Sequence, residues 1–486
     1  MMRAVADPTL ADLARARAVV AAHLAPTPLV EIELPDGRPA WLKLDSLQPG
    51  GSFKIRGALA AVSAYAAAGA PMITASAGNH GLGFAHAARR LGVAATVVVA
   101  RTASPAKLEA LRRLGVDLIV HGDSYDDAER HALALADGGR VFVSAYNDPH
   151  VIAGQATWAA EVAEQLGGER ALIVPIGGGG LLAATVLAAD GSRVVGVEAA
   201  ASPAFSTAIA RGAIVEVPVA PTLADGLAGN LEAGTITPRL VAGRAEIASV
   251  TEAEIADAMR FLALRCGLVV EGSGAVGVAA LLSGRVAVAP PARPIVLITG
   301  RNVAAATLGA VLAAPSPGMS ARDVLGLVDL LGEHGIAVWL DGGWGVDALL
   351  GRQTRPHGDL DIAVRHGDVP RLRAALAARG YEERSRPDTS PWNFVLADAL
   401  GHEIDVHSFV FDEKGDHVAG IDYPAASLTG TGTIDGRPVA CIAAEYVVQF
   451  RSTYEPRERD YEDVFALHER FGIALPEVYA RRYRKS

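Results

Sequence analysis

The chain has 486 residues and a formal net charge of −10, with 50% hydrophobic and 20% charged residues. Its length predicts two or three domains, and its acidic balance without an evident basic face argues against a nucleic-acid partner. The two cysteines, Cys266 and Cys441, are far apart in the sequence, which excludes a disulfide framework. The sequence shows no long apolar run and no signal peptide, so we expect a cytoplasmic protein with no membrane partner.

Helices and strands are predicted to alternate through the first three hundred residues. A helix over 8–24 comes first, and a strand over 40–44 leads into a glycine-rich stretch at 49–58. Helices, one of them over 154–165, are expected between strands at 72–75, 95–100, 117–120, 141–144, 171–175, 193–198 and 294–299. Apolar, non-alternating strands joined by helices predict two parallel α/β sheets, with sites at the carboxyl ends of the strands.

The sequence changes character after Ala313. Residues 314–320 are small, polar and proline-rich, which is typical of a linker. Ser320 and Asp323 have the spacing of a capping box that begins a new helix. We therefore expect one module over 1–313, with a large domain over 1–68 and 146–313 and a small domain over 69–145, and a second module over 321–486.

Three glycines, Gly50, Gly51 and Gly57, surround Lys54 just before an apolar helical run. Glycine lets the backbone turn sharply and approach a bound group. A lysine amine in a partly desolvated pocket loses its proton more easily and can form a Schiff base with a carbonyl. Most lysines are instead solvated surface groups, so the rest of the chain decides between the two interpretations.

Four consecutive glycines, Gly177, Gly178, Gly179 and Gly180, follow the strand over 171–175 and precede a helix. Backbone N–H groups at such a junction can converge on a phosphate at the positive end of the helix. The alternative is a flexible turn. It is not a P-loop, because no Gly-Lys-Ser/Thr follows.

Three motifs, at 51–58 (GSFKIRGA), 76–81 (SAGNHG) and 177–180, occur in the order seen in threonine/serine dehydratases. The first module therefore resembles those fold-type-II enzymes, whose cofactor is pyridoxal phosphate (PLP) and whose fold is similar to the tryptophan-synthase β subunit. The resemblance spans roughly residues 8–312.

The resemblance implies a role for each cofactor-contacting residue. Lys54 would form the Schiff base with PLP and move the proton at the substrate α-carbon. Asn79 would bond the phenolic oxygen of PLP, the four glycines would hold its phosphate, Phe53 would pack near its ring, and Thr299 would meet its pyridine nitrogen.

The same resemblance implies that Ser76, Asn79 and His80 bind the substrate carboxylate, although His80 could equally be a packing residue. Ala77 stands where racemases have a second serine, so poor racemisation is expected. Asp225 is either a cation-loop residue or a plain turn aspartate.

The implied reaction is β-elimination of L-threonine or L-serine to a 2-oxo acid and ammonia. A PLP β-replacement enzyme or a racemase is the alternative.

Acidic residues mark the second module. A strand over 336–340 is followed by Gly342 and Gly343, and Asp359 and Asp361 alternate with apolar residues on a later strand. Both carboxylates therefore leave one strand face, and Asp405 lies on a further strand with the same alternation. Such oxygen ligands suit Mg²⁺.

These motifs, together with Tyr454-Glu455-Pro456-Arg457 near the end of the chain, resemble the lincosamide and aminoglycoside (2″-type) nucleotidyltransferases of antibiotic resistance. The resemblance covers roughly residues 321–480 and implies an α+β domain. Gly342 and Gly343 would face a nucleoside triphosphate, Asp359 and Asp361 would hold Mg²⁺, and Asp405 would be base or metal ligand toward a small-molecule hydroxyl. His357 is expected to be structural. A non-catalytic regulatory domain is the rival interpretation.

The sequence thus predicts a bifunctional fusion of a dehydratase and a nucleotidyltransferase, expected to form a homodimer. The acceptor hydroxyl, the preferred amino acid and any coupling between the two sites are left open.

Overall fold

A computed structural model describes residues 5–314 and 318–483 of the chain. Its contacts divide the chain into two units, Met1–Ala313 and Ala314–Ser486. Of the predicted linker, residues 315–317 lie outside the described residues. No helix in the described ranges is both long enough and apolar enough to cross a membrane.

The first unit contains two sheets. Its strands are β1 Leu29–Glu33, β2 Pro39–Lys43, β3 Met72–Ala75, β4 Ala95–Val99, β5 Asp117–Val120, β6 Val141–Phe142, β7 Arg170–Pro175, β8 Arg193–Ala199, β9 Glu246–Val250 and β10 Arg293–Leu297. One sheet has the order β1-β2-β10-β7-β8-β9 and the other β5-β4-β3-β6. All pairings are parallel except that of β1 with β2. The two predicted α/β sheets are confirmed, and the expectation that both are wholly parallel is wrong at β1.

Most helices of the first unit lie between these strands, while the first helix precedes β1 and the last follows β10. They are α1 Leu10–His23, α2 Lys54–Ala67, α3 Asn79–Leu91, α4 Pro105–Arg113, α5 Tyr125–Ala136, α6 Pro149–Gln155, α7 Thr157–Gln165, α8 Gly180–Leu187, α9 Ala204–Arg211, α10 Thr237–Val241, α11 Glu252–Leu264, α12 Gly272–Leu282 and α13 Ala305–Ala313.

The single helix expected over 154–165 is wrong, because the structure has two helices and the first begins five residues earlier. Asp148 caps α6 by accepting from the N–H groups of His150 and Val151, and Pro149 occupies the first helical position. Proline suits that position because its fixed φ matches the helix and it has no N–H to satisfy.

A buried ionic cluster joins α2, α7 and the strand end before the lysine loop. Arg56 donates to Asp45 at 2.7 and 2.9 Å and to Glu161 at 2.5 and 2.8 Å. Lys43 pairs with Glu161 at 2.7 Å, and the side chains of Lys43, Arg56 and Asp45 are fully buried. Because each charge has an opposite partner, the cluster offsets the cost of burial and fixes the start of α2.

The second unit is built on one sheet. Its strands are β11 Val338–Leu340, β12 Asp359–Arg365, β13 Glu382–Arg384, β14 Asn393–Ala397, β15 Glu403–Phe411, β16 His417–Gly420, β17 Gly430–Ile434 and β18 Arg437–Cys441. The order is β13-β14-β15-β12-β11-β18-β17, and β16 pairs with β15.

The helices of this unit are α14 Ala321–Glu333, α15 Gly342–Leu350, α16 Val369–Ala377, α17 Ala444–Arg451, α18 Glu458–Phe471 and α19 Glu477–Tyr483. The predicted capping box at the start of α14 is confirmed, since the Ser320 side chain accepts from Asp323 N–H and Asp323 accepts from Ser320 N–H. Two hydrophobic clusters lie against the sheet, one around Leu360 and Trp344 and one around Phe409 and Val464.

Candidate active sites

The loop before α2 is held against the end of β10. Gly50 and Gly51 have φ of +80° and +75°, a backbone conformation that favours glycine. Ser52 bridges to Gly300, and the Phe53 N–H donates to the Thr299 carbonyl at 2.9 Å. Helix α2 therefore begins at Lys54 from a fixed position.

The Lys54 amine faces the interior of the first unit. Its Nζ donates to the Ala145 carbonyl at 3.0 Å and lies 5.2 Å from the centre of the Phe53 ring. Burial lowers the pKa of this amine to about 8, although the charge of Glu271 acts in the opposite direction. About one-tenth of the amine is then neutral at pH 7 and about half at pH 8, and the neutral form is the one that a nucleophile or base requires.

The four glycines occupy the turn from β7 into α8. Gly179 has φ of +82°, and an added Cβ there would overlap the Phe205 ring. A Cβ on Gly178 would overlap the Tyr146 ring. The N–H groups of Gly177, Gly178 and Gly179 donate to no other residue within 5–314 or 318–483. Free amides at a helix start form a cradle for an anion.

A short segment after β6 connects the lysine to this cradle. Ala145 accepts the hydrogen bond of Lys54, and the next residue, Tyr146, packs against Gly178 and Gly180. The Thr237 hydroxyl also donates to the Gly178 carbonyl at 2.7 Å. The fold therefore brings the predicted lysine and the predicted phosphate loop to one place.

Asn79, the first residue of α3, uses both ends of its side-chain amide. Its Nδ2 donates to Glu271 Oε1 at 2.7 Å, and its Oδ1 accepts from Asn302 Nδ2 at 2.7 Å. Asn302 Nδ2 also donates to the Gly50 carbonyl at 2.7 Å. Burial, reinforced by Asp225, raises the pKa of Glu271 to about 7. Asn79 is thereby oriented beside the lysine loop.

Ser76, predicted to bind substrate, forms a local hydrogen bond, whereas the hydroxyl of Thr299, predicted to contact the cofactor, has no partner among the described residues. Ser76 Oγ accepts from Gly78 N–H at 3.1 Å at the start of α3. Thr299 is 2% exposed, and its hydroxyl bonds to no other residue in the described part of the chain.

His80 faces the core of its own sheet. Its Nε2 lies 2.9 Å from Thr74 Oγ1 and 3.2 Å from the Val143 carbonyl. Burial, reinforced by the nearby Lys54, lowers its pKa to about 3, so the ring is neutral. These contacts favour the packing role over the predicted role in binding the substrate carboxylate.

In the second unit, two neighbouring parallel strands bring carboxylates together. Asp361 on β12 is in register with Asp405 on β15, and Asp359 precedes Asp361 on the same face. Burial and the charges of Asp359, Asp341 and Asp405 raise the pKa of Asp361 well above its usual value. Such crowding favours a bound cation.

The predicted glycine pair begins α15 beside these carboxylates. Gly342 has φ of +57°, and a Cβ there would overlap Asp361 Oδ2. A Cβ on Gly343 would overlap His357. His357 itself is buried against Asp347, in agreement with its predicted structural role.

Asp405 has neighbours that the sequence did not assign. Its Oδ1 is buried without a hydrogen-bond partner among the described residues, and His407 Nε2 lies 3.5 Å from it. His407 Nδ1 lies 3.1 Å from the Tyr423 hydroxyl, which donates to Asp341 Oδ2 at 2.7 Å. The ligand atoms of Asp361, Asp405 and His407 all lie within 4.8 Å of one another, and Asp359 is outside this group.

Comparison with known proteins assigns the first unit. The sequence model of the family described as pyridoxal-phosphate dependent enzyme matches residues 20–300, which is more than half of the chain. The chain belongs to the pyridoxal-phosphate dependent enzyme family.

Relatives within this PLP family include ammonia-lyases and dehydratases. The L-threonine ammonia-lyase of Thermotoga maritima is 40% identical over 255 residues, which cover 51% of this chain and 63% of that protein. The β-hydroxyaspartate dehydratase of Paracoccus denitrificans is 35% identical over 309 residues, 61% of this chain and 96% of that one. A solved structure of threonine deaminase isoform 2 from Solanum lycopersicum, in its processed form, has a TM-score of 0.56 and 27% identity, covering 64% of this chain and 95% of its own.

The second unit matches a different family. Residues 323–467 fit the model described as aminoglycoside-2''-adenylyltransferase. The chain therefore carries a PLP-enzyme domain followed by a domain of the adenylyltransferase family.

The residues of the first unit fit PLP. A cradle of amides without side chains suits the phosphate. Lys54 is linked to this cradle, because its amine donates to Ala145 and the adjacent Tyr146 packs against Gly178 and Gly180. In the second unit, the unpaired Asp405 Oδ1 and the oxygen-rich donor set suit a divalent cation.

Sequence reasoning missed Glu271 and Asn302 as partners of Asn79, and His407 and Tyr423 as neighbours of Asp405. Asn302 stands three residues after the assigned Thr299, and His407 stands two residues after the assigned Asp405. What was absent from the sequence was their partner, which lies on another element.

Proposed function

We propose that the first unit catalyses PLP-dependent deamination of a 3-hydroxy amino acid, L-threonine or L-serine, to a 2-oxo acid and ammonia. The main support is the Lys54 amine, whose pKa is lowered to about 8 and which the Ala145–Tyr146 segment joins to the glycine cradle.

Five groups would hold the cofactor. Lys54 would bind it through its amine, the N–H groups of the four glycines would bind its phosphate, Asn79 would meet its phenolic oxygen and Thr299 its ring nitrogen, with Phe53 beside the ring. Bound PLP supplies an electron sink for the bonds at the amino acid α-carbon.

Lys54 would then serve as the base. Its neutral amine accepts the α-proton of the substrate, while Ser76 and the N–H groups at the start of α3 bind the substrate carboxylate. The Cβ–O bond breaks, and the hydroxyl leaves as water with the proton that Lys54 has taken from the α-carbon. Hydrolysis of the released enamine consumes one water and yields the 2-oxo acid and ammonia.

Elimination is favoured over racemisation because Ala77 offers no group that could protonate the opposite face of the α-carbon. Assays with L-serine separate the alternatives. Pyruvate without D-serine supports elimination, whereas D-serine, or a thioether product formed only with an added thiol, supports a racemase or β-replacement enzyme.

The direct test is the Lys54→Ala variant of the full chain. We expect it to lose the visible absorbance of the bound cofactor and the release of 2-oxobutanoate from threonine. Lys414→Ala, an exposed lysine in the second unit, is the control and should behave as the parent protein. Borohydride reduction followed by peptide mass spectrometry should place the pyridoxyl group on Lys54. A pyridoxyl group on another lysine, or full turnover by Lys54→Ala, would refute the proposal.

For the second unit, we propose Mg²⁺-dependent transfer of a nucleotidyl group from a nucleoside triphosphate to a hydroxyl of a small molecule of the lincosamide or aminoglycoside type. Asp405 would take the hydroxyl proton as the oxygen attacks the α-phosphorus and pyrophosphate leaves. A bound divalent cation neutralises charge on the phosphates. The support is the pairing of Asp361 with Asp405 across β12 and β15.

The test is ATP-dependent labelling of lincomycin and of a set of aminoglycosides by the full chain. Loss of labelling in Asp361→Asn, with labelling kept in the exposed-site control Asp435→Asn, supports the proposal. Binding of Mg²⁺ and ATP without transfer to any acceptor would instead support a regulatory domain.

A further inference from the structure

The acidic site of the second unit includes a histidine. Asp405 and His407 are two residues apart on β15, so their side chains leave the same face of the strand. Asp361 stands beside Asp405 on the adjacent parallel strand. The ligand atoms of these three residues all lie within 4.8 Å of one another.

The Tyr423 hydroxyl determines which His407 nitrogen carries the proton. A hydroxyl has one hydrogen, and that of Tyr423 is donated to Asp341 Oδ2 at 2.7 Å. At 3.1 Å from His407 Nδ1, the hydroxyl can then only accept, so Nδ1 carries a hydrogen. In the neutral ring Nε2 has a free lone pair, the arrangement found where histidine binds a metal and its other nitrogen is held by a partner.

The spacing of His407 and Asp405 suits two ligands of one ion. His407 Nε2 and Asp405 Oδ1 are 3.5 Å apart, which is long for a hydrogen bond. Two bonds of about 2.1 Å to one cation, at angles between a right angle and a tetrahedral one, place their ligand atoms about 3 to 3.5 Å apart. Asp405 Oδ1 is also buried with no hydrogen-bond partner among the described residues.

Neighbouring arginines do not take the place of a cation. Arg386 Nη1 is 3.7 Å from Asp405 Oδ2, and its other nitrogen is paired with Glu403. Arg451 is paired with Asp460 and Asp463. Asp405 therefore has one long ion pair, with an arginine that also binds Glu403. Asp361 forms no ion pair with a lysine or arginine among the described residues.

We propose that His407, together with Asp361 and Oδ1 of Asp405, is a ligand of the divalent cation in the second unit, which leaves Oδ2 of Asp405 to take the hydroxyl proton. The site consequently binds Mn²⁺ more tightly than Mg²⁺, although the proposed transfer can use either ion. Imidazole nitrogen suits transition-metal ions, whereas Mg²⁺ is bound almost entirely by oxygen. The inference rests on the proposed nucleotidyl-transfer function only for the role of the ion, because the binding of the ion can be measured by itself.

The experiment uses the full chain, freed of metal, and follows binding of Mn²⁺ by the loss of the electron paramagnetic resonance signal of free Mn²⁺, with Mg²⁺ as competitor. We expect His407→Asn to weaken Mn²⁺ binding about 10- to 100-fold and to change competition by Mg²⁺ much less. Asp361→Asn should lose both ions. His417→Asn, on the neighbouring strand β16, should change neither. Unchanged Mn²⁺ affinity in His407→Asn, beside loss in Asp361→Asn, would overturn the proposal.

A second measurement needs no variant at His407. Pulsed electron paramagnetic resonance of Mn²⁺ bound to the unaltered protein should show coupling to an imidazole nitrogen, and Asp361→Asn should remove it. A bound ion without nitrogen coupling would also overturn the proposal. Nitrogen-coupled Mn²⁺ in a protein that transfers no nucleotide would sustain this inference and refute the proposed function. Nucleotidyl transfer that depends on Asp361, in a protein whose bound Mn²⁺ shows no nitrogen coupling, would sustain the proposed function and refute this inference.

Discussion

Glu271 accepts a hydrogen bond from Asn79 across 192 residues of sequence, with 2.7 Å between Oε1 and Nδ2. Asn79 in turn accepts from Asn302, which holds the carbonyl of Gly50 in the lysine loop. One buried carboxyl thus orients a predicted cofactor contact and lies close enough to Lys54 to affect the pKa of its amine.

Replacing Glu271 should change how stability depends on pH. Its pKa in the folded protein, about 7, lies above the ordinary value of 4.5. Its contribution to the free energy of unfolding is therefore fully present below pH 4.5 and is lost as the pH rises through 7. The shift corresponds to roughly 3 kcal/mol. We expect Glu271→Gln to remove that loss, which is measured by denaturant unfolding of both proteins at pH 5 and pH 8. If both proteins lost the same stability between pH 5 and pH 8, the raised pKa of Glu271 would be contradicted.

The reactivity of Lys54 should follow an apparent pKa near 8. The neutral amine is the reactive form, so the rate at which the cofactor-free protein takes up PLP should rise with pH to a plateau above 8 rather than above 10. Since Glu271 raises this pKa, Glu271→Gln should shift the midpoint to lower pH. Stopped-flow absorbance provides the measurement, and a midpoint near 10.5 would contradict burial of the amine.

The glycine cradle should not tolerate a methyl group. In Gly179→Ala the new Cβ would overlap the Phe205 ring, and the residue has a φ of +82°, which alanine rarely adopts. We therefore expect the affinity for PLP to fall at least about 10-fold, a change of about 1.4 kcal/mol. Gly191→Ala is the matched control, because its φ is +77° but no atom lies within 4 Å of the Cβ position. It should lose about 1 kcal/mol of stability and keep its PLP affinity. Fluorescence titration with PLP distinguishes the two, and equal affinity in both variants would refute the cradle.

Loss of Arg56 from the buried ionic cluster should strongly lower the stability of the first unit. Arg56→Met leaves Asp45 and Glu161 without their guanidinium partner, and breaking a buried pair costs about 3–5 kcal/mol. Arg193→Met removes an exposed pair with Glu246 and should cost at most about 1 kcal/mol. Calorimetry of both variants gives the shift of the first unit's transition. Similar shifts would mean that the cluster contributes little.

The parts of the fold that sequence predicted are those set by local pattern. The start of α2 at Lys54, the turn from β7 into α8 and the cap at Ser320 each depend on residues within a few positions of one another. Strand β1 was missed because its polar alternation, Val-Glu-Ile-Glu, contains no long apolar run. The helix at Pro149 was missed although Asp148 and Pro149 form a recognisable start.

Site residues were predictable where a motif carried them and not where a distant partner defined them. Lys54 and the glycines belong to motifs, whereas the hydrogen bond of Glu271 to Asn79 exists only once α3 and α12 are packed. For His80 the motif left substrate binding and packing both open, and its contacts with Thr74 and the Val143 carbonyl, which favour packing, exist only in the folded chain. Tyr423 could be linked to His407 only through the folded sheet.

Ala145 and Tyr146 lie three and four residues after β6, the edge strand of the four-stranded sheet. They nevertheless contact Lys54 and the glycines that follow β7 of the six-stranded sheet. The smaller sheet therefore cannot swing about its connections without pulling this segment off one loop or the other. We therefore expect any movement of the smaller sheet relative to the larger one to lower the affinity for PLP, because the same segment contacts both the lysine and the glycine cradle.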